Sequence, residues 1–408
     1  MSKVIYLRPI FYVSNYYILL FQNFFNILSI TLTNSKKYFK PNFIMKKKIL
    51  FLIHLPPPIH GVSVFNKNIT DSSRINNAID SSLININYNI SLDQVSKFNF
   101  KKVLKYLKLW FQLFYKIIKF KPDSIYYSIP PTGNGFYKDL PFVTLIKFCR
   151  IQCIYHLHGK GIDKEIKKNK IKLIIHKWVY SNSTVIHLSE TLMNKEILPL
   201  NLKNSKLKII NNGIKYFIKN SKQINNVKIN ILFLSNLRES KGLFNALKIF
   251  GELKKSHNNI FLNVVGEFRD YKTKILSESI IDDLNIQDCV KFHGAKYKND
   301  KNEIIMKSDI LLYPSLDDAF PLVILECMSF GLVIYASDQG GIPDIINSEY
   351  GGVFETGDDL KAVDLLNKYL NLSKNEKLKM SLCSKTTFEN KYKFERVEKD
   401  LLKIFKNN

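Results

Sequence analysis

The stretch "YPSLDDAFPLVILECMSFGLVIYASDQGGIPDII", from Tyr313 to Ile346, decides the fold. It reads as the end of a strand, an acidic loop, an apolar helix, a second strand and a glycine-rich turn. Strands that alternate with helices indicate βαβ units and a parallel sheet. Two acidic residues, Asp318 and Glu326, flank the start of the predicted helix, and this placement needs a chemical explanation.

The same alternation continues along the chain in both directions. Strand-like runs in the first half are "KKKILFLIHL", "DSIYYSIP", "RIQCIYHLHG", "STVIHLS" and "LKIINNG". Those of the second half are "INILFLSNL", "IFLNVVGEF", "VKFHGAKY", "DILLYPS", "LVIYAS" and "GGVFET". A polar linker is predicted between them, near residues 212–228. The pattern therefore predicts two doubly wound α/β halves that face each other, with ligands beyond the carboxyl ends of the strands.

The length and charge of the chain agree with two domains and an anionic partner. The chain has 408 residues, of which 46% are hydrophobic, and a formal net charge of +26. Such a charge favours a membrane surface, a nucleotide or a nucleic acid as partner. A coding sequence that favours Lys, Asn and Ile explains part of the excess equally well. The five cysteines show no zinc-site spacing, which fits a reducing cytoplasm.

The first 44 residues differ from the rest of the chain. They contain the apolar and aromatic run "IFYVSNYYILLFQNFFNILSITL", which has no signal-peptide cleavage site and is interrupted by Asn and Gln. The basic start "KKKILFLIHL" follows Met45, which we therefore expect to be the working start. Residues 1–44 are predicted to be an extension of doubtful status, and a membrane-associating arm is the alternative.

Two cations stand where a strand gives way to a helix. "SNLRESKG" places Arg238 and Lys241 three residues apart at this junction. A helix N-terminus offers free amide groups and a partial positive charge, so two cations beside it can clamp a diphosphate. A solvated basic turn in a lysine-rich chain is the alternative interpretation.

The acidic loop and the helix that follows it form a second junction between a strand and a helix N-terminus. Pro321 suits the first helical turn, which leaves the amides of Leu322 and Val323 to meet a phosphate oxygen. Glu326 lies on an apolar helix, where vicinal hydroxyls such as those of a ribose would satisfy its carboxylate. Asp318 could accept hydrogen bonds from a second polyol. The alternatives are helix capping for Asp318 and a salt bridge to a lysine for Glu326.

Taken together, these motifs resemble a known family. "DAFPLVILE", from Asp318 to Glu326, resembles the acidic EX7E motif of the family 4 glycosyltransferases, with aspartate at its first position. "GGIPDII", "SNLRESKG", "VVGEF", "VKFHGAKY", "INNGI", "LPPPIHGVS" and "YHLHGKG" extend the resemblance over nearly all of the chain from Met45 onward. It implies the GT-B fold, in which two Rossmann-like domains face each other across a cleft.

The resemblance also implies roles for individual residues. Arg238 and Lys241 would hold the donor diphosphate, Glu326 the nucleotide ribose, and Asp318 the hydroxyls of the transferred sugar. The loop Pro58–Ser63 would close over the phosphates, and His158 would face the donor sugar. The remaining residues implied at the donor site are His60, Gly61, Phe320, Leu322 and Val323. His60 stands where many relatives have glycine, and a histidine beside a diphosphate would gain proton affinity.

The implied activity is the transfer of a sugar from a nucleotide diphosphate to a glycan or lipid-linked glycan in bacterial cell-surface polysaccharide synthesis. Transfer with retention, without metal or cofactor, is expected. The expected domains are residues 45–222 for the acceptor, 223–385 for the donor, and a terminal helix, 386–408, that packs back toward the first domain. The alternatives are a sugar-nucleotide epimerase and a basic nucleic-acid-binding protein, although no nucleic-acid recognition module is evident.

Residues 97–121, "KFNFKKVLKYLKLWFQLFYKIIKFK", predict an amphipathic helix with eight lysines. Its apolar stripe is expected to pack on the sheet, and comprises Val103, Leu107, Trp110, Phe114 and Ile117. Lys101, Lys105 and Lys108, with the aromatic Trp110, are predicted to contact an anionic membrane surface. The enzyme would then be cytoplasmic and peripherally bound to the membrane. A simply solvated lysine face is the alternative.

Overall fold

A computed structural model describes residues 46–58, 60–87, 100–215 and 228–407. The predictions for residues 1–44, and most of the predicted linker, lie outside the described residues. The part of the chain from Lys46 onward packs as one unit. It contains two parallel six-stranded sheets, each flanked by helices, and this is the predicted α/β architecture.

The first sheet has the strand order β2-β1-β3-β4-β5-β6, and all its neighbouring strands are parallel. Its strands are β1 Lys48–Ile53, β2 Asp80–Asn85, β3 Ser124–Tyr127, β4 Gln152–His156, β5 Thr184–His187 and β6 Lys206–Ile209. The central strands β3 and β5 are buried along their whole length, as expected when helices cover both faces of a parallel sheet.

The second sheet has the order β12-β11-β10-β7-β8-β9. Its strands are β7 Ile229–Leu234, β8 Ile260–Val265, β9 Val290–Phe292, β10 Ile310–Tyr313, β11 Val333–Ser337 and β12 Gly351–Phe354. The direction of winding reverses between β7 and β10, which are hydrogen-bonded neighbours. Ligands of doubly wound sheets bind beyond the strand ends at such a reversal.

Thirteen described helices cover the sheets. In the first half they are α1 Gly61–Thr70, α2 Ser73–Ala78, α3 Phe100–Phe120, α4 Gly133–Phe148, α5 Ile162–Lys168 and α6 Lys170–Tyr180. In the second half they are α7 Leu243–Lys254, α8 Tyr271–Asp283, α9 Lys298–Lys307, α10 Leu322–Ser329, α11 Asp359–Leu370, α12 Lys374–Lys391 and α13 Phe394–Asn407. Short irregular turns of helix occupy residues 190–200. No helix in the described ranges is long and apolar enough to cross a bilayer.

Strand β2 was not predicted from the sequence. Four of the six residues in its sequence, "DSSLIN", are polar, and only Ile84 is fully buried in it. β2 lies at the sheet edge and pairs with β1 along its whole length. An edge strand with solvent on one side needs little apolar sequence, so it carries no buried-strand signal.

The last helix, α13, packs on the first sheet although it follows the second half of the chain. The Phe405 ring lies 5.8 Å from Phe51 and 5.7 Å from Tyr126, centre to centre. Ser72 Oγ donates a 2.5 Å hydrogen bond to the buried Glu398 carboxylate. Residue 386 falls within α12, so α13 begins later than the predicted boundary.

Candidate functional site

A cavity of about 560 Å³ lies at the carboxyl ends of β7 and β10, where the winding of the second sheet reverses. Both halves of the chain line it. The predicted residues on its wall are His60, Gly61, His158, Lys241, Asp318, Phe320, Leu322, Val323 and Glu326. Residues that are distant in sequence and were singled out for donor binding therefore share one cavity.

Lys241 and Asp318 form an ion pair in this cavity. Lys241 Nζ lies 2.6 Å from Asp318 Oδ2 and also donates to the Asp317 carbonyl at 2.8 Å. Tyr313 donates its hydroxyl to the same Asp318 Oδ2 at 2.7 Å, and the Ala319 amide donates to Oδ1 at 2.9 Å. Burial, together with the Asp318 charge, holds the pKa of Tyr313 well above its usual value. The carboxylate is thus fixed by three donors.

The alternative that Asp318 caps the following helix is wrong. Helix α10 begins after Pro321, which is extended and provides no side-chain cap. Asp318 lies further upstream, and its two oxygens are occupied by the donors described above. Its carboxylate therefore faces the cavity instead of the helix start.

Two glycines allow the backbone to pack closely beside Lys241 and Asp318. Gly242, with φ +76°, follows Lys241, and a Cβ there would lie 1.8 Å from the Pro314 carbonyl oxygen. Gly340, with φ +59°, packs on the Asp318 loop, where a Cβ would lie 2.5 Å from the Asp318 carbonyl oxygen. Only glycine fits these left-handed, closely packed positions, which explains why the "SKG" and "GGIP" motifs accompany the acidic loop.

Two helix N-termini converge on the cavity. α1 begins at Gly61 and α10 at Leu322, and a Cβ on Gly61 would lie 3.7 Å from Leu322 Cδ1. The first amides of each helix have no carbonyl partner within the helix, so both ends present donors and partial positive charge. A Cβ at Gly61 would make only ordinary contact with protein atoms, so protein packing alone does not require glycine there.

His60 caps helix α1. Its Nδ1 accepts a hydrogen bond from the Ser63 amide at 3.3 Å, and its own amide donates to Ser63 Oγ at 3.0 Å. Burial lowers the pKa of His60, because the charged ring would lose hydration. The higher proton affinity expected beside a diphosphate requires bound donor and stays a prediction.

Glu326 has a lysine partner that the sequence analysis did not identify. Lys301 Nζ, on α9, lies 2.8 Å from Glu326 Oε2, and both side chains line the cavity. The salt bridge foreseen as the alternative for Glu326 therefore exists. It engages one carboxylate oxygen, Oε2, and the side chain is 30% exposed toward the cavity. Nothing in the local sequence pairs positions 301 and 326, since they lie on different helices.

Arg238 does not line the cavity. A tight turn, closed by the Lys241 amide donating to the Arg238 carbonyl at 3.0 Å, separates the two residues. The Arg238 Nε is buried and has no hydrogen-bond partner among the described residues. Of the predicted cationic pair, the lysine alone reaches the cavity wall.

His158 lies on the cavity wall beside two buried histidines. Its ring centre lies 4.1 Å from that of His156, and the His156 Nδ1 is 2.6 Å from the Tyr126 hydroxyl. His187 accepts a hydrogen bond from the Leu188 amide at 2.8 Å. Burial, with the neighbouring His187, lowers the pKa of His158 to about 3, and burial lowers that of His187 to about 3. His158 therefore meets the cavity as a neutral ring.

The two halves also make direct polar contacts beside the cavity. Lys160 pairs with Asp317 at 3.1 Å and donates to the Gln339 side chain. The Thr191 amide and hydroxyl both donate to the Asp344 carboxylate at 2.9 Å. Lys160 comes from the "HLHGKG" motif, so this motif supplies both a cavity residue and a contact between the halves.

Helix α3 exposes a different face from the one predicted. Leu109, Leu113 and Ile117 are buried against the sheet. Trp110 packs toward α4, where its Nε1 donates to the Pro141 carbonyl at 3.3 Å. The exposed apolar residues are Val103, Leu104, Leu107, Phe111, Tyr115 and Ile118.

The predicted membrane-contact lysines are placed unequally. Lys108 is exposed and Lys105 is half-buried, while the Lys101 side chain lies outside the described residues. The predicted stripe was wrong at Val103 and Leu107, because burial is centred on Leu113, one residue away from the predicted Phe114.

Comparison with known proteins finds a family match in the second half of the chain. The family model described as glycosyl transferases group 1 matches residues 215–382, which include Lys241, Asp318 and Glu326. This part of the chain, residues 215–382, matches the group 1 glycosyltransferases. The two parallel six-stranded sheets of the chain are the GT-B architecture predicted from the sequence.

Proteins similar to this chain include the amylovoran biosynthesis glycosyltransferase AmsK of Erwinia amylovora, 29% identical over 36% of this chain and 37% of the relative. Another is the N-acetyl-alpha-D-glucosaminyl L-malate synthase of Bacillus anthracis, 26% identical over 56% and 60%. The chain thus spans about a third to three fifths of these relatives' lengths. Anabaena Alr3699/HepE, solved with UDP and glucose, matches in fold at TM-score 0.64 and 14% identity, over 89% of this chain and 100% of that one.

Proposed function

We propose that the cavity binds a nucleotide-diphosphate sugar and that the enzyme transfers this sugar to an acceptor hydroxyl. The observation that carries the proposal is the shared cavity of about 560 Å³, in which Lys241, Asp318, Glu326 and two helix N-termini meet. Such a set offers positive potential for phosphates and carboxylates for hydroxyl groups. The solved complex of the structurally similar Anabaena protein with UDP and glucose supports this choice of donor class.

The donor would lie across the cavity in a single orientation. Its diphosphate would contact Lys241 Nζ and the amides that begin α1 and α10. Its ribose would donate hydroxyl hydrogen bonds to Glu326, and its sugar would meet Asp318 and the neutral His158. Asp318 is already fixed by three donors, so it would accept bonds from the sugar without having to reorganise.

Transfer would then proceed on one face of the sugar, with retention of configuration. The acceptor oxygen forms a bond to the anomeric carbon as the bond to the diphosphate oxygen breaks. The acceptor proton passes to the departing diphosphate, whose charge Lys241 and the helix amides stabilise. We propose that no metal or further cofactor takes part, since these groups would supply the positive charge.

The proposed acceptor is a glycan or lipid-linked glycan of cell-surface polysaccharide synthesis, and AmsK, named for amylovoran biosynthesis, supports this class. We further propose a cytoplasmic, membrane-bound state, supported by the exposed apolar face of α3. On that face Leu107 and Phe111 are 45% and 61% exposed, and Lys108 lies beside them. An apolar face flanked by lysines suits the boundary of an anionic bilayer.

Incubation with a panel of UDP- and GDP-sugars, with and without glycan acceptors, tests the proposed activity. We expect one donor to release its nucleotide faster when the right acceptor is present. An epimerase on the same fold would instead convert its sugar nucleotide at a rate that does not depend on acceptor. Absence of nucleotide release from every donor and acceptor combination would contradict the proposal.

The Glu326–Lys301 pair allows ribose binding to be separated from a structural role. Glu326→Ala is expected to weaken donor binding about 10- to 100-fold, the range for lost hydrogen bonds to a charged group. Lys301→Ala should weaken it less than about fivefold, because an ion pair that is partly open to solvent contributes little. The measurement is the donor dissociation constant of both variants. Equal losses in the two would indicate that Glu326 serves only as the partner of Lys301.

A further inference from the structure

A second cavity, of about 710 Å³, opens at the amino edge of the first sheet. It is lined by residues that directly precede or begin β4, such as Arg150 and Gln152, and by residues that precede β5 and β6, such as Asn182 and Lys203. Strand β4 runs between this edge and the edge that carries His158. The second cavity is therefore separate from the donor cavity.

The second cavity is cationic. Lys147, Arg150, Lys177 and Lys203 line it, and no acidic side chain in the described part of the chain does so. Lys147 Nζ donates to the Ser181 carbonyl at 2.9 Å and lies 5.7 Å from the Trp178 ring centre. The side chains of Arg150, Lys177 and Lys203 make no ion pair or hydrogen bond with other described residues. Three cations thus face an open cavity without a protein counter-charge.

Fold stability explains only part of this arrangement. Lys147 and Lys177 lie near the carboxyl ends of α4 and α6, where a positive charge stabilises the helix dipole. Arg150 directly follows Cys149, the C-terminal capping residue of α4, and shares this stabilisation, whereas Lys203 lies in the connection to β6, outside any helix. The helix ends do not account for all four cations at one open cavity, and a ligand that fits this cavity is anionic.

An apolar rim surrounds the same edge. Phe148, Ile174, Trp178 and Leu198 are 52%, 65%, 42% and 52% exposed. The carboxyl end of α3 lies at this edge too, because α3 leads into β3 of the same parallel sheet, and its Tyr115 and Ile118 are also exposed. A soluble anion would not contact these apolar side chains, whereas a membrane lipid has both an anionic headgroup and acyl chains.

We propose that the second cavity binds the phosphate headgroup of an anionic membrane lipid while the apolar rim enters the bilayer boundary. Arg150, Lys177 and Lys203 contact the phosphate, and Trp178 lies at the depth of the headgroups, where amphipathic rings settle. The proposal does not depend on the donor chemistry, since none of these residues lines the donor cavity.

The chain has two tryptophans, which makes a direct test possible. Trp110 packs on α4, so Trp110→Phe leaves Trp178 as the single fluorophore at the proposed surface. Its emission is expected to shift to the blue with phosphatidylglycerol vesicles, to shift little with phosphatidylcholine vesicles, and to be quenched by brominated acyl chains. An emission that does not change with phosphatidylglycerol overturns the proposal.

A charge-matched pair of variants tests the headgroup contact in sedimentation with the same vesicles. The triple variant Arg150→Gln, Lys177→Gln, Lys203→Gln is expected to bind about 100-fold more weakly, at about fivefold for each cation. The control Lys272→Gln, Lys291→Gln, Lys379→Gln removes equal charge from exposed positions of the second half and should lose less than about fivefold. Thermal midpoints verify that both variants fold.

Two results in this experiment would overturn the proposal. Equal loss of vesicle binding in both triple variants would show a general charge effect instead of a site. The second result has two parts. Inorganic phosphate or glycerol phosphate raises the thermal midpoint of the wild type but not of the Arg150, Lys177 and Lys203 triple variant, and the protein does not bind to vesicles. This result would assign the cavity to a soluble anion.

Discussion

Lys241→Ala is expected to lower the turnover of the donor sugar by about two orders of magnitude, close to 3 kcal/mol of transition-state stabilisation. In the proposed transfer the diphosphate would leave with negative charge, and Lys241 is a cation on the cavity wall that would contact it. Its Nζ is fixed by Asp318 Oδ2 at 2.6 Å and the Asp317 carbonyl at 2.8 Å, so it needs little reorganisation. Single-turnover release of nucleotide measures the effect.

The ion pair adds a second cost to this variant, because Asp318 would remain as an uncompensated charge beside the phosphates. The double variant Lys241→Met, Asp318→Asn should therefore bind the donor at least as tightly as Lys241→Met alone, although the contacts of residue 318 to the sugar are weakened. Lys255→Ala, which breaks the exposed Lys255–Glu252 pair, is the control and should leave turnover unchanged. Turnover within threefold of wild type in Lys241→Ala would remove Lys241 from the mechanism.

Three neighbouring histidines are expected to reduce the stability of the fold by roughly 6 kcal/mol between pH 7 and pH 5. His156 and His187 are fully buried and His158 is partly buried at the cavity wall, and burial lowers the pKa of each, to about 3 for His158 and His187. The unfolded chain binds protons near pH 6.5 while the folded chain does not, so stability falls as pH drops below that value. Each histidine contributes roughly 2 kcal/mol over this interval.

Urea unfolding midpoints from pH 7.5 to pH 5 measure this dependence. His187→Gln should make the pH dependence less steep by roughly 2 kcal/mol over this interval, since one proton-linked group is removed. Ile186→Val, at the buried residue before His187, serves as the control, because it removes no titratable group and should keep the wild-type slope. A free energy of unfolding that does not change between pH 7 and pH 5 would mean that these histidines are not neutral.

Much of the fold could be predicted because parallel strands buried on both faces need uninterrupted apolar runs. "INILFL" and "SIYY" carry this signal, whereas the edge strand "DSSLIN" does not. Lys241 and Asp318 were expected to lie close together because each follows a strand, and the loops that follow neighbouring parallel strands meet at the same edge of the sheet. The strand order, and with it the reversal between β7 and β10, came only from the structure.

The side-chain pairings of the site could not be predicted in the same way. Lys301 and Glu326 lie on separate helices, and the three neighbouring histidines come from the region of two strands, β4 and β5. Periodicity describes one element at a time and contains no information on such contacts. The helical periodicity of α3 was predicted correctly, but its buried face lies one residue away from the predicted one. Both faces of that helix contain apolar side chains, so the sequence does not distinguish them.

The central claim is that one cavity at the β7–β10 reversal holds a nucleoside diphosphate, and calorimetric titration tests it most directly. We expect UDP or GDP to bind with one site per chain, and both Glu326→Ala and Lys241→Ala to weaken that binding by tenfold or more. If neither nucleotide binds at millimolar concentration, or if both variants bind as wild type does, the account is contradicted.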